Sequence, residues 1–223
     1  MQRFTVLLPM KGHSERVPNK NMKLFNGRPL YHAVMLELER CELVTQVLIN
    51  TDSDRIAEDA VTNFSKARIV QRPAELKGDL VSMNRIIEHD LLTCSADHFI
   101  QTHSTNPLLK AETLSKAAAA YLRDLASYDS VFSVTRLQTR LYTADASPVN
   151  HNPQELIRTQ DLAPLFEENS CFYIFSRSSF LASGGRRIGL KPRLFEMDKL
   201  EAVDIDEPED FVLAELLYKQ HHS

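Results

Sequence analysis

Neither common glycine signature for phosphate is present. No GxGxxG run occurs, and no Gly-Lys-Ser/Thr run opens a helix, so a standard dinucleotide fold and a standard P-loop are both excluded. Cysteine is scarce: Cys41, Cys94 and Cys171 are odd in number and far apart. That spacing offers neither a disulfide framework nor a zinc set, and fits a reducing compartment. No apolar run reaches the roughly 18 residues of a membrane span, and no cationic-then-apolar leader stands at the start. A cytoplasmic protein without a membrane partner is expected. Positive charge is not in excess either. A formal net charge of -4 gives no support for a nucleic-acid partner. Internal repeats, low-complexity segments and linkers are missing.

What is present suits one α/β domain over residues 1–223. A chain of this length buries roughly 70–75% of its unfolded surface, so it needs no metal or disulfide for stability. Apolar residues at 43% and charged residues at 25% are ordinary for a globular chain. Strand patterns are predicted at 4–9, 45–51, 67–71, 98–103 and 130–134. Helical patterns alternate with them: from Pro29 to Cys41, from a Thr51–Asp54 cap to about Lys66, over 81–95, and from Ala111 to Ala126. This alternation predicts a largely parallel sheet with helices on both faces and a ligand site beyond the strand carboxyl ends. From Arg136 to Glu168 the periodicity is lost, and such a long interruption is usually functional or interfacial. A strand at 171–176, one or two more between Pro192 and Asp206, and a helix from Glu207 to Gln220 complete the chain. His221 and His222 read as a frayed tail.

The chain is organised around Leu7–Arg28, LLPMKGHSERVPNKNMKLFNGR. Lys11, Arg16, Lys20, Lys23 and Arg28 stand there with one acid, Glu15, a local reversal of the overall charge. Gly12 and Ser14 let backbone N–H groups approach a ligand closely. A basic loop at the end of a first strand is a physical recipe for a polyphosphate site. His13 and Ser14 are adjacent in one loop with no oriented acid partner, so they do not make a hydrolytic site.

KGHSERVPNKN resembles the loop of the acylneuraminate cytidylyltransferases, which activate sialic and related nonulosonic acids as CMP-sugars. The similarity continues through RPAEL at 72–76, HSTNPL at 103–108, the Asn169–Tyr173 region and VDID at 203–206, in the family's order. It implies a three-layer, Rossmann-like nucleotide-diphospho-sugar transferase fold with a mostly parallel sheet. It also implies that residues 136–168 form part of the sugar pocket and reach a second subunit, making a homodimer.

The implied substrates are CTP and a 2-keto sugar acid, and the implied cofactor is Mg²⁺. On the nucleotide side the resemblance points to Lys11, Gly12, His13, Ser14, Arg16, Lys20 and Asn21, with Arg72 near the cytosine ring and Ser82 as a base-contacting hydroxyl. Arg16 takes the position of a third cation, because Glu15-Arg16 stands where many members have Lys-Gly. Met83 also falls at the base-contacting position. On the sugar side stand His103, Thr105, Asn106, Arg158, Gln160, Asn169 and Tyr173. His103 replaces the commoner Gln; it can donate similarly, but can also titrate near neutrality.

Each of these has a plainer alternative. Arg72 can be a surface residue before Pro73, Arg158 can pair with Asp161, and Thr105 and Asn106 can cap the turn before Pro107. Asp204 and Asp206, two apart in an extended segment, share a face and match the family's metal pair. Asp206 can instead cap the last helix, with Glu209 completing a capping box. Lys11 and Lys20 are expected to face solvent and add little to folding. The activity implied is CMP transfer to the anomeric hydroxyl of a nonulosonic acid. The alternatives are a synthetase for another 2-keto sugar acid such as KDO, or a catalytically silent nucleotide-binding dimer.

Overall fold

The computed structural model describes residues 2–78 and 80–221. The tail expected at His222 lies outside them, and so does the side chain of His221. Strand β1 (Phe4–Leu7) is buried along its whole length, as a central parallel strand must be. A short hairpin, β2 (Leu24–Phe25) and β3 (Arg28–Pro29), follows the basic loop. Its turn is Asn26-Gly27, with φ of 49° and 83°, the dipeptide favoured where both central residues need positive φ. This hairpin was not predicted. It takes up Pro29, so α1 (Tyr31–Arg40) starts later than the periodicity suggests.

The chain continues through β4 (Val44–Thr51), α2 (Asp54–Asn63), β5 (Ala67–Gln71), α3 (Met83–Leu92), β6 (His98–Thr102), α4 (Ala111–Arg123) and β7 (Ser130–Leu137). As predicted, α2 is capped from the Thr51–Asp54 turn, Ser53 Oγ accepting from Ile56 N. Strand β8 (Leu165–Ser176) is longer than expected, because Leu165–Glu168 pair with Val134–Leu137. Helix α5 (Arg177–Ala182) is opened by a reciprocal Ser176/Ser179 capping box, then come β9 (Pro192–Glu196) and α6 (Pro208–His221).

The main sheet has seven strands in the order β5-β4-β1-β6-β8-β7-β9. Only β8 runs against the others, pairing antiparallel with both β6 and β7. Strand alternation divides the core between the two faces. Phe4, Val6 and Leu8 pack with Val34, Ile56, Leu114 and Tyr121 of α1, α2 and α4. Leu7 and Phe99 pack on the opposite face with Ile87 and Leu91 of α3 and Phe180 of α5. Val17, Phe25, Ile205 and Phe211 form a smaller core that seats α6 beneath the basic loop. This is the expected three-layer α/β architecture, with one reversed strand.

Candidate functional site

Because β1, β4, β5 and β6 are parallel, the segments after Leu7, Thr51, Gln71 and Thr102 emerge at one edge of the sheet. The basic loop crosses that edge. Met10 N donates to Asn50 O at 2.9 Å, and Gly12 N donates to Asp52 Oδ1 at 2.7 Å. Gly12 is required by close approach: a Cβ there would stand 2.9 Å from Ser53 Cβ. Asn21 Nδ2 donates to Lys11 O at 2.9 Å, while its Oδ1 accepts from Ser104 Oγ at 2.6 Å, tying both limbs of the loop to the end of β6.

A cavity of about 310 Å³ opens there, lined by Lys11, His13, Ser14, Arg16, Lys20, Asn21, Arg72, Met83, His103 and Thr105. The five loop cations divide. Lys11, Arg16 and Lys20 line the cavity, whereas Lys23 lies over the Phe211 ring at 4.2 Å and Arg28 belongs to the hairpin. Lys20 is not the solvent-facing side chain expected from its loop. It is buried, donates to Ile205 O at 2.5 Å, and its ammonium stands 3.8 Å from Asp206. Arg16 reaches Asp206 and Glu207 at 2.9 Å each.

Arg72 is buried, not on the surface. Its Nε donates to Asn50 Oδ1 at 2.8 Å and its Nη2 to Asn50 O at 2.7 Å. Asn50 Nδ2 in turn donates to Asp90 Oδ1 at 2.5 Å. Asp90 is fully buried, and desolvation pushes its carboxyl up to about 6. Sequence reading missed this support because Asn50 and Asp90 lie in ordinary strand and helix patterns.

VDID runs alongside HSTNPL, with Ile205 N donating to Thr105 O at 2.9 Å. Asp206 does not cap α6. Asp210 does, accepting from the amides of Asp206 and Glu207 at 3.1 and 2.8 Å, and Glu209 takes no such part. Asp204 is hydrogen-bonded by Thr105, but burial is the larger effect and raises its carboxyl above the ordinary value. Its Oδ1 is buried and unpartnered, and Asp206 stands close enough to raise it further. Among the described residues no three His, Cys, Asp or Glu side chains gather as a complete metal cage. Two carboxylates with an orphaned oxygen fit a cation that takes its remaining ligands from phosphate and water, as Mg²⁺ does.

A second cavity, about 510 Å³, is lined by Thr135, Glu167, Glu168, Asn169, Ser170, Lys199 and Asp204. Thr105 belongs to the first cavity wall, so its bond to Asp204 joins the walls of the two. Asn169 Nδ2 donates to Thr135 Oγ1 at 3.0 Å. Tyr173 lies behind the wall rather than on it. It is fully buried, pushed up to about 12 chiefly by desolvation, and donates its hydroxyl to Glu168.

The Arg187 guanidinium covers the Tyr173 ring at 3.6 Å. Arg187 escaped notice because GGRRIGL reads as a polar turn. His103 does not titrate near neutrality: burial and the charge of Arg187 lower it to about 4.

Other predicted residues are not brought in. Ser82 is exposed beside α3 and absent from the cavity wall, where Met83 stands instead. Asn106 is buried and donates weakly to Val203 O at 3.5 Å, and its backbone carbonyl closes the turn to Leu109. Arg158 and Gln160 line neither cavity of their own chain. The Arg158 guanidinium is caught by Asp161 at 2.7 and 3.1 Å, the plainer of its two readings, and Gln160 is exposed beside it. A further hollow of about 460 Å³ near Leu108 carries Glu37, Glu112, Asp198 and Glu201 against Arg40 and Lys110, a poor home for polyphosphate.

The family described as Cytidylyltransferase matches residues 5–222. Pseudaminic acid cytidylyltransferase of Campylobacter jejuni is 24% identical, the match covering 97% of this chain and 96% of that one. N-acylneuraminate cytidylyltransferase A of Danio rerio is 28% identical over 95% of this chain, which spans 50% of that protein. The solved structure of a CMP:2-keto-3-deoxy-manno-octonic acid synthetase complexed with CTP has the same fold, with TM-score 0.73 and 14% identity, covering 99% of this chain and 100% of that one.

Proposed function

The chain belongs to the cytidylyltransferase family, the one that includes acylneuraminate enzymes, and on that premise we propose that it transfers CMP from CTP to the anomeric hydroxyl of a nonulosonic acid. The observation that carries this reading is one cavity wall holding Lys11, Arg16, Lys20 and Arg72, with Asp204 and Asp206 at its margin. Cations suit a polyphosphate whose leaving group gains negative charge, and paired carboxylates suit the metal that accompanies it.

In this reading the anomeric hydroxyl gives up its proton to solvent water as its oxygen bonds to the α-phosphorus, the bridging bond to the β-phosphate breaks, and pyrophosphate leaves with the electron pair. Lys11 and Lys20 neutralise that leaving charge. Arg16 exchanges its present partners, Asp206 and Glu207, for phosphate oxygens. Arg72, held by Asn50, presents a fixed planar guanidinium to the cytosine. Asp204 and Asp206 would hold Mg²⁺, which when bound aligns phosphates and offsets their charge. The 2-keto sugar acid lies between His103 and Thr105 of the first cavity and Asn169 and Ser170 of the neighbouring one.

Incubation with CTP, Mg²⁺ and a panel of neuraminic, legionaminic, pseudaminic and KDO acids tests the proposal. Pyrophosphate release with a CMP-sugar detected by mass is the expected outcome. Turnover with KDO alone would replace the nonulosonic acid by that rival, and binding of CTP without turnover of any acid would reduce the protein to a nucleotide-binding dimer.

A further inference from the structure

Gln101 lies near the end of β6 and His103 is the first residue beyond it. Gln101 stands opposite Tyr173 in the antiparallel register with β8, so both look toward Arg187. Arg187 Nη1 donates to Gln101 Oε1 at 2.6 Å. A guanidinium has donors only, so Gln101 must present its oxygen there and turn its amide NH₂ the other way. That NH₂ donates to Thr102 O at 2.9 Å and faces His103 Nε2 at 3.0 Å.

The amide group facing His103 is a donor, so Nε2 must accept, and the ring proton must sit on Nδ1. A charged ring would set two donors against each other. The lowered His103 value, about 4, agrees with this exclusion. Among the described residues Nδ1 has no partner, and His103 lines the cavity beside Ser104 and Thr105.

We propose that Arg187 and Gln101 are a positioning pair that holds His103 as a neutral Nδ1–H donor aimed at an acceptor oxygen, carboxylate or acyl carbonyl, of the sugar acid. Arg187 is itself fixed: its side chain is 18% exposed, it covers the Tyr173 ring, and it stands 4.0 Å from Glu168. Tyr173 donates to Glu168, and Ser170 Oγ lies 3.1 Å from the Tyr173 hydroxyl. Glu168 and Ser170 line the second cavity, so the device is anchored in the wall that would enclose the sugar. A site of this kind selects an acceptor at His103 and disfavours an ammonium there, since two donors repel.

The ligand half of the proposal rests on the cytidylyltransferase reading, but the tautomer half does not. Nitrogen NMR of the full chain, with His103 assigned by its loss in His103→Gln, reads the tautomer directly. The expected result is a proton on Nδ1 and no titration around pH 6.5, where an ordinary histidine titrates. A proton on Nε2, or titration near that value, overturns the proposal whatever the enzyme's activity.

Gln101→Glu offers Nε2 a carboxylate, so it should move the proton to Nε2 and raise the KM for the sugar acid about 10-fold or more. The KM for CTP should change less than about 2-fold. Equal effects on both substrates would mark Gln101 as merely structural and sink the idea. Should that variant not fold, His103→Leu and His103→Gln decide: Gln, which keeps an N–H donor, should recover most of what Leu loses. Equal loss in the two overturns the donor role. Absence of turnover with every acid would count against the enzyme reading alone, leaving the tautomer to the NMR result.

Discussion

Lys20 and Lys11 line the same cavity, and Lys20 is also part of the fold through its bond to Ile205 O and its approach to Asp206. Removing a donor aimed at a leaving phosphate costs about 10²–10³ in rate, so both Lys11→Ala and Lys20→Ala should lower kcat/KM by that order. Lys20→Ala also leaves a buried carbonyl without its donor and should cost about 1–3 kcal/mol of stability in urea titration. Normal turnover in both variants would remove the loop from phosphate chemistry.

Asp90 gives a second test at this scale. Its native carboxyl is raised to about 6, against about 4 for an ordinary aspartate. Between those values the unfolded chain loses its proton while the native one keeps it. Rising pH through that window therefore destabilises the fold by an amount on the order of 2–3 kcal/mol, and the effect is flat above it. Asp90→Asn has no such loss, so the stability of the variant minus that of the wild type should climb between about pH 4 and 6. Any fixed cost of the amide shifts that difference without giving it a slope. A flat difference would mean that burial does not raise Asp90 above its unfolded value, and a falling one that its carboxylate is favoured by the fold.

At the scale of elements, the start of α6 separates structure from chemistry within one turn. Asp210 accepts from the two amides at its N-terminus, while Asp206 turns to Arg16. Asp210→Ala should therefore cost about 0.5–2 kcal/mol, the usual worth of a cap. Asp206→Asn should leave thermal stability nearly unchanged, since an exposed ion pair contributes little. Its loss should appear in activity at limiting Mg²⁺, with partial recovery as Mg²⁺ is raised. Full activity at limiting Mg²⁺ would place the metal elsewhere.

The elements also mark how far the residues can be read without the fold. The parallel strands and their helices were legible because the strands carry short apolar and β-branched runs and the helices repeat their apolar positions. The basic loop was legible because its charge opposes that of the chain. The start of β8 was not, since Phe166, Glu167 and Glu168 are exposed and show no buried alternation, being held by register with β7. Arg187 was hidden for a different reason: its partners Gln101 and Tyr173 lie in two other strands, and only sheet pairing brings them together.

On the scale of the whole molecule, residues 138–164 stand apart from the sheet's regular alternation. Leu137 and Leu141 are half-buried, but Tyr142 and Val149 are more than half exposed, and Leu156 is 86% exposed with Ile157 beside it. The segment has its own bonds, including Thr143 N to Ser147 O at 2.9 Å and Gln138 Nε2 to Leu162 O at 2.6 Å. It is therefore a shaped projection, and Tyr142, Val149, Leu156 and Ile157 on it stay exposed while Leu162 anchors it in the body. Exposed apolar groups of this kind are what an interface with a second copy would cover. Arg158 and Gln160 ride on the same projection and line neither cavity of their own chain, which a second copy would explain by receiving them at its sugar site. The expected outcome is a homodimer at micromolar concentration in light scattering. Leu156→Asp combined with Ile157→Asp should shift it to monomer with unchanged far-ultraviolet circular dichroism. If the monomer keeps its CTP affinity but its KM for the sugar acid rises about 10-fold, the projection supplies the sugar site in trans. A wild-type monomer with full activity would refute both the dimer and that role.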